Sequence, residues 1–465
     1  MPRRVIVIGA GPAGYVCAIR LAQLGHKVTV VEKEYLGGTC LNVGCIPSKA
    51  MIAAGNLLEK IGRASVMGIT VEGVALDVGK LVGWKDGIVA KLTGGVGTLF
   101  EQNGVEHVLG TARIVDKNTV EIRGKGGTDK LTCDDLVIAT GSVPSSIPGF
   151  DIDEDRVWSS TGALVPQEVP GHLLVIGAGY IGLELGILYR RLGSEVTIVE
   201  FTPSALPGQD PDCVKVIERS MKKQKIKLIT ETGAKSYEST NGKSFVKLEG
   251  KGGEDTIECD QILCTVGRRP YSDGLGLENV GLTADEQGFI AIDKQMRTAV
   301  PNVYAIGDIA GQPMLAHKGS REGLVAAAVI AGKPEEFDNR CCPAVIFTSP
   351  EIASVGLLEK DAIEQGHEIV TGRFPFAASG RAMSLLETEG FVKIVADAKT
   401  DEVLGVHMVG PEVTELIAEC ALAIEMHATV EDIARTIHAH PTLPEAVMEA
   451  AEAVHKAAVH IYQKK

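Results

Sequence analysis

The sequence predicts an α/β chain with two copies of a strand, glycine turn, helix and strand unit, one nested inside the other, followed by a smaller α+β domain. Three observations predict it. Residues 5–32, VIVIGAGPAGYVCAIRLAQLGHKVTVVE, run from an apolar strand through a glycine-rich turn and an amphipathic helix to a second strand that ends in an acid. The pattern returns at 173–200 as LLVIGAGYIGLELGILYRRLGSEVTIVE. From about residue 341 the glycine turns thin out, giving way to strands near 344–356, 369–376, 390–396 and 402–409 and then helices over about 414–426 and 444–458.

Each part of the repeated unit has a physical reason. Gly9 makes the tight turn, Gly11 lets backbone approach a pyrophosphate, and Gly14 lets helix and strand pack closely. The helix N-terminus attracts the anionic phosphates, and Glu32 at the strand tip is placed to accept hydrogen bonds from a ribose diol. The second copy supplies Gly177, Gly179, Gly182 and Glu200, and in both copies the acid follows the first glycine by 23 residues. These are two Rossmann-like dinucleotide-binding units, and two dinucleotides that must meet suggest electron transfer between them. A carboxylate at Glu200 favours the free 2′-hydroxyl of NAD over the 2′-phosphate of NADP. Arg190 and Arg191 lie earlier, on the helix, where a solvated face is the expectation.

Further segments return to the first nucleotide. LVIATGS at 136–142 is a strand running into a glycine turn, and NVYAIGDIAG at 302–311 is another strand that presents Gly307 and Asp308. ILCTVGRRP at 262–270 is the counterpart of LVIATGS in the second unit and brings Gly267 toward the second nucleotide. The second unit is therefore inserted within the first. The expected division is 1–145 and 271–340 for the first dinucleotide domain, 146–270 for the second, and 341–465 for the terminal α+β domain.

Composition narrows the function. A formal net charge of −14 argues against nucleic acid or an anionic membrane surface as the main partner. No apolar run reaches the roughly 18 residues that span a bilayer. The chain opens almost directly on a strand, which leads us to expect a cytoplasmic protein. The 54 glycines stand above the average share of about 7% and cluster in turns, as phosphate-binding folds require.

The stretch GGTCLNVGCIPSK at 37–49 places Cys40 and Cys45 five positions apart. On a regular helix five residues rise about 7.5 Å and turn through roughly 500°, so the two side chains would diverge. A turn through Asn42, Val43 and Gly44 can bring them together. In a reducing compartment a close pair of this kind is catalytic or metal-binding. Cys17, Cys133, Cys213, Cys259, Cys264, Cys341, Cys342 and Cys420 are expected to be buried small hydrophobes.

GGTCLNVGCIPSK, the doubled fingerprint, YAIGD and the near-terminal HAHPTLPE together resemble the pyridine nucleotide–disulfide oxidoreductases over essentially the whole chain. The resemblance implies an FAD domain, an inserted NAD domain and a C-terminal dimerisation domain. It implies that Cys40 and Cys45 form a redox-active disulfide, with Cys45 nearer the flavin and Cys40 exchanging with substrate. No second cysteine or histidine pair with ligand spacing accompanies them, so no metal is expected. Lys49 matches the lysine that pairs with a glutamate opposite the flavin, and Glu184 matches that glutamate. His440 matches the base, contributed by the partner subunit, and Glu445 the carboxylate that orients its imidazole; His438 is assigned a packing role. Pro444 departs from the small polar residue expected there, at a helix start where proline is tolerated.

The remaining FAD contacts carry over to Gly9, Gly11, Gly14, Glu32, Gly38, Thr39, Lys49, Ala112, Thr140, Gly141, Ser142, Asp308, Met314, Leu315, Ala316 and His317. The NAD contacts carry over to Gly177, Gly179, Tyr180, Ile181, Gly182, Glu184, Glu200 and Gly267. The implied activity is oxidation of protein-bound dihydrolipoamide by NAD within a homodimer that serves the lipoyl domain and acyltransferase core of a 2-oxo acid dehydrogenase or glycine cleavage complex. Glutathione-type reductases usually need NADP, which Glu200 disfavours, and mercuric reductases carry C-terminal cysteines where this chain reads HIYQKK. A redox sensor without turnover has no use for His440 and Glu445.

Overall fold

The computed structural model describes residues 1–464. By internal contacts the chain divides into two compact units, one of residues 1–147, 151–168 and 266–338, the other of 148–150, 169–265 and the residues from 339 onward. Residues 151–168, expected with the inserted segment, therefore pack with the first unit.

The first unit opens with strand β1 (Arg4–Ile8), helix α1 (Pro12–Gln23) and strand β2 (Lys27–Glu32). Helices α2 (Gly38–Asn42), α3 (Cys45–Gly62) and α4 (Val78–Asn103) lead to β3 (Glu106–Leu109). An antiparallel meander follows, β4 (Thr111–Asp116), β5 (Thr119–Gly124) and β6 (Gly127–Thr132), then β7 (Asp135–Ile138), β8 (Ser142–Pro144) and the two-residue β9 (Val157–Trp158). Four consecutive buried residues in β1 and all four in β7 mark strands covered on both faces, as a parallel sheet requires.

The second unit repeats the plan. It runs β10 (His172–Ile176), α5 (Tyr180–Leu192), β11 (Glu195–Val199), α6 (Pro211–Lys223) and β12 (Lys227–Ile229). Its own meander comes next, β13 (Thr232–Thr240), β14 (Lys243–Gly250) and β15 (Gly253–Cys259), followed by β16 (Gln261–Cys264). In each copy the first strand lies parallel between the second and the strand after the meander: β1 between β2 and β7, β10 between β11 and β16. This is the repeat read from the sequence, extended by a meander whose alternation was not picked out there.

The chain returns to the first unit with β17 (Arg268–Pro270), which pairs with β8, then β18 (Val303–Ala305), which completes the sheet in the order β18-β7-β1-β2-β3, and α7 (Ala316–Ile330). The C-terminal part of the second unit is built on β19 (Ala344–Ile346), β20 (Glu351–Gly356), β21 (Ile369–Pro375), β22 (Phe391–Asp397) and β23 (Val403–Gly410), in the order β19-β20-β23-β22-β21. Helices α8 (Glu359–Glu364) and α9 (Gly380–Leu385) lie between strands, and α10 (Val413–Glu425), α11 (Val430–Arg435) and α12 (Glu445–Val454) follow. Two strands thus occupy the expected strand region 344–356. The short α11, opened by a Thr429–Asp432 capping box, was not anticipated, and α12 ends four residues earlier than expected. Val392, Ile394, Val406 and Met408 of the sheet and Leu416, Ile417, Val447 and Ala450 of the helices form one fully apolar core.

The glycines of the fingerprint are dictated by close approach. A Cβ on Gly14 would stand 2.0 Å from the Gly9 carbonyl oxygen, and one on Gly182 would stand 2.1 Å from that of Gly177. Backbone cannot yield there as a flexible side chain would. Gly14→Ala and Gly182→Ala are therefore expected to destabilise the protein by about 1–3 kcal/mol despite the helix preference of alanine. Gly87→Ala on α4, where a Cβ meets nothing within 4 Å, should instead be neutral or stabilising by up to about 1 kcal/mol. Denaturant midpoints of the three variants measure the contrast.

Candidate active site

The two fingerprint turns are closed in the same way. Glu32 is 8% exposed, and its two carboxylate oxygens accept from the Ala10 amide at 2.8 Å and the Glu34 amide at 2.9 Å. Glu200, also 8% exposed, accepts from Ala178 and Thr202 at 2.7 Å each. Each carboxylate oxygen retains lone pairs for a further donor. Gly11 and Gly179 cap α1 and α5, and a Cβ on either would project into open space. Both turns therefore offer bare backbone and a helix N-terminus to an anionic group. Tyr180 is exposed and Ile181 half-buried at the start of α5.

The cysteine segment docks on the first turn. Gly37 donates its amide to the Ala10 carbonyl at 2.9 Å, and a Cβ on Gly38 would lie 2.6 Å from the Gly11 Cα. Asn42 ties the end of α2 to the carbonyls of Leu36 at 2.8 Å and Gly38 at 2.9 Å. The helix then breaks at Val43 and Gly44, and a new one begins at Cys45. Gly44 lies close to Thr39, whose carbonyl oxygen a Cβ at 44 would approach to 2.9 Å. This break brings Cys40 and Cys45 into hydrogen-bonding contact as thiols. The Cys45 hydrogen bond holds the Cys40 thiol far above its ordinary pKa, burial and the Cys45 charge add to this, and the Lys49 ammonium opposes it. Lys49 sits on α3 one turn beyond Cys45.

Thr140, Gly141 and Ser142 follow β7 and meet Asp308. The Ser142 hydroxyl donates to the Asp308 carboxylate at 2.5 Å and accepts from the Arg268 guanidinium at 2.8 Å, while Thr140 donates to the Tyr271 carbonyl at 2.7 Å. Beneath this turn Glu322 of α7 accepts the Gly307 amide at 2.7 Å and pairs with Lys318 at 2.7 Å. Met314 and Leu315 lead into α7, Ala316 opens it and His317 is exposed on its first turn. Ala112 is buried on β4, just past the Gly110 amide that donates to the Glu32 carbonyl at 2.8 Å. Gly267 follows β16 with φ 130° and accepts the Ser145 amide at 3.0 Å.

In the second unit Glu184 is 4% exposed on α5 and accepts the Phe347 amide at 2.8 Å. Arg190 and Arg191 are not a solvated face: Arg190 donates to the Gln224 carbonyl at 2.7 Å and Arg191 to the Ser349 hydroxyl at 2.5 Å. His440 Nδ1 lies 2.8 Å from Glu445 Oε1, and Glu445 Oε2 accepts the Thr442 amide at 2.7 Å. The ring is 81% exposed and projects from a fixed carboxylate at the first residue of α12, which Pro444 caps. Burial pushes the Glu445 carboxyl up, but the Thr442 amide and the His440 ring outweigh it and hold the pKa below its ordinary value. The tether therefore persists as pH falls through the usual carboxylate range near 4.3 and is lost only below it. His438 is set apart from His440 by hydrogen bonds at 2.8 Å to the Thr436 carbonyl and to Glu419.

Six of the other cysteines are buried as expected, whereas Cys341 and Cys342 are only half-buried. Burial, together with Glu425, pushes the Cys341 thiol up to about 11. Among the described residues no group of three or more His, Cys, Asp or Glu side chains is arranged to hold a metal ion, and no helix is long and apolar enough to cross a membrane.

A nucleotide turn carrying a docked thiol pair, repeated once without the thiols and followed by a domain that presents a carboxylate-held imidazole, defines a disulfide-type oxidoreductase. The chain belongs to the pyridine nucleotide-disulphide oxidoreductase family, which matches residues 3–323, and its residues 342–451 match that family's dimerisation domain. It is 50% identical over 457 residues to dihydrolipoyl dehydrogenase of Bacillus subtilis (98% of this chain, 97% of that one) and 48% identical over 459 residues to dihydrolipoyl dehydrogenase of Geobacillus stearothermophilus (99% and 97%). Its fold is similar to that of LpdA from Mycobacterium tuberculosis, with a TM-score of 0.91 at 28% identity over 97% of this chain and 99% of that one. It is also similar to the HOCl-induced flavoprotein disulfide reductase RclA of Escherichia coli, with a TM-score of 0.87 at 25% identity over 97% and 99%.

Because Glu200 holds the buried Ala178 amide, its removal strands a donor. Glu200→Ala is expected to cost about 1–3 kcal/mol of stability, with Glu200→Gln costing less because one acceptor oxygen survives. Chemical denaturation of the two variants beside the parent protein measures the difference.

Proposed function

We propose that this protein is a dihydrolipoyl dehydrogenase that oxidises protein-bound dihydrolipoamide with NAD, using FAD and the Cys40–Cys45 pair. The observation that carries the reading is the thiol pair docked by Gly38 on the Gly11 turn, beside the family membership. The residues fit the cofactors: Gly11 and Gly179 leave open space at the two helix N-termini, and Glu32 and Glu200 retain acceptor capacity at the strand tips. FAD is held by Gly9, Gly11, Gly14, Glu32, Gly38, Thr39, Thr140 to Ser142, Asp308 and the 314–317 segment, and NAD by the Gly177–Gly182 turn, Glu184, Glu200 and Gly267. When bound, FAD would supply the two-electron redox chemistry that links the dithiol to NAD.

The side chains have separable tasks. His440, supplied across a homodimer, takes the proton from one substrate thiol, and Glu445 holds its Nδ1 so that Nε2 is the accepting atom. The resulting thiolate attacks Cys40 of the oxidised Cys40–Cys45 disulfide and expels the Cys45 thiolate, and the second substrate sulfur then displaces Cys40 from the mixed disulfide, releasing the cyclic disulfide and leaving Cys40 and Cys45 reduced. Lys49, one turn after Cys45 on α3, favours negative charge on sulfur. Residues 1–145 and 271–340, with 151–168 packed beside them, serve FAD, the rest of 146–270 NAD, and 341–465 the dimer contact. The partners are a lipoyl domain and the acyltransferase core of a 2-oxo acid dehydrogenase or glycine cleavage complex, in the cytoplasm.

The test is steady-state NADH formation from dihydrolipoamide, run beside reduction of oxidised glutathione by NADPH. The reading predicts turnover only in the first assay, and a fall on the order of 10²–10⁴-fold in His440→Gln. A flavin-replete protein with no dihydrolipoamide turnover would sink it.

A further inference from the structure

The turn that carries Asp308 is held from two sides, and the two holds differ in kind. On one side the buried Glu322 accepts the Gly307 amide and Lys318 donates to the Gly311 carbonyl at 3.1 Å, so the backbone flanking Asp308 is fixed. What remains free is rotation of the Asp308 side chain. Ser142, itself 7% exposed, takes up that freedom from the other side, because its hydroxyl donates to Asp308 Oδ2 at 2.5 Å.

Arg268 decides which way that hydroxyl points. Its guanidinium holds Ser142 through two nitrogens, Nε on the hydroxyl oxygen at 2.8 Å and Nη2 on the main-chain carbonyl at 2.7 Å. A guanidinium only donates, so the Ser142 oxygen must accept from it, and the one hydroxyl proton is left for Asp308. The other carboxylate oxygen, Oδ1, keeps its lone pairs for a further donor. The repeat itself delivers the arginine: Ser142 follows Gly141 in the first copy and Arg268 follows Gly267 in the second, and the two segments meet as antiparallel strands β8 and β17, with Pro270 opposite Ser142. The neighbouring cations are engaged elsewhere, Arg269 with Asp273 at 2.7 Å and Lys33 over the Tyr271 ring at 3.8 Å from its centroid.

We propose that Arg268 is a positioning residue for the flavin: by gripping Ser142 it holds the Asp308 carboxylate in the orientation in which Oδ1 can accept a hydroxyl of FAD. This inference rests on the reading of Asp308 as an FAD contact. The strand pairing does not need the guanidinium, since β8 and β17 are joined through their main chains and the Ser145 amide donates to the Gly267 carbonyl at 3.0 Å. Lysine cannot stand in for it, because a single ammonium lacks the rigid fork that spans hydroxyl and carbonyl together.

The test is the rate at which the holoenzyme releases FAD on dilution, followed by the rise in flavin fluorescence, in the parent, Arg268→Met, Asp308→Ala and the double variant. Arg268→Met should release FAD about tenfold faster than the parent, the weight of one charge-assisted hydrogen bond. In the Asp308→Ala background the same substitution should change release by less than about twofold, because the carboxylate through which Arg268 acts is gone. Equal acceleration in both backgrounds is what an arginine that merely pins two strands would give, and it would overturn the proposal, as would no acceleration in the parent. Arg268→Lys keeps the charge and serves where Arg268→Met does not fold: it too should release FAD faster, and a parent-like rate would contradict the proposal. Should Asp308→Ala itself release FAD at the parent rate, the reading of Asp308 as an FAD contact falls and this inference falls with it. Faster release from Asp308→Ala with a simply additive Arg268→Met removes this inference alone.

Discussion

Everything in the first unit hangs on a backbone contact. Helix α1 leaves strand β1 so sharply that Gly14 lies against the Gly9 carbonyl, with no room for a methyl group. That contact sets where the helix N-terminus faces, and Glu32 locks the result by taking the Ala10 amide from the neighbouring strand. The thiol segment is placed by the same means, because Gly38 can rest on the Gly11 backbone only while residue 38 lacks a side chain. The Cys40–Cys45 pair is thereby fixed to the glycine turn by main chain, whose position does not depend on rotamers.

The second unit uses the same contact without the thiols. Gly182 against Gly177 and Glu200 on Ala178 reproduce the first turn almost distance for distance, which is what duplication of one physical solution looks like. What differs is the material beside it: Gly38 and the cysteines in one copy, Glu184 and its Phe347 contact in the other. The exposed His440, pinned by Glu445, follows another economy, since a rigid carboxylate orients a ring that the fold leaves in solvent.

Much of this was legible in the sequence because the constraints are local. A glycine triplet between an apolar strand and a helix, with an acid 23 residues on, leaves few alternatives, and the break between Cys40 and Cys45 followed from helix geometry and Gly44. The elements that escaped are those fixed by distant partners. The two meanders have exposed, polar strands such as Gly127–Thr132 whose pairing supplies their order, and α11 is too short for its period to register. Arg190 and Arg191 looked like a solvated face because their acceptors, Gln224 and Ser349, lie far along the chain.

The central claim is that Cys40 and Cys45, and no other cysteines, exchange electrons with a dithiol. Of the rest, six are buried, and Cys341 is held in its thiol form by burial and Glu425. The direct measurement is differential alkylation with mass spectrometry: the oxidised, flavin-replete protein is blocked at accessible thiols, treated anaerobically with stoichiometric dihydrolipoamide in the absence of NAD, and labelled a second time. The account predicts that the second label falls on Cys40 and Cys45 alone. Second label on any other cysteine, or none on this pair, would contradict it.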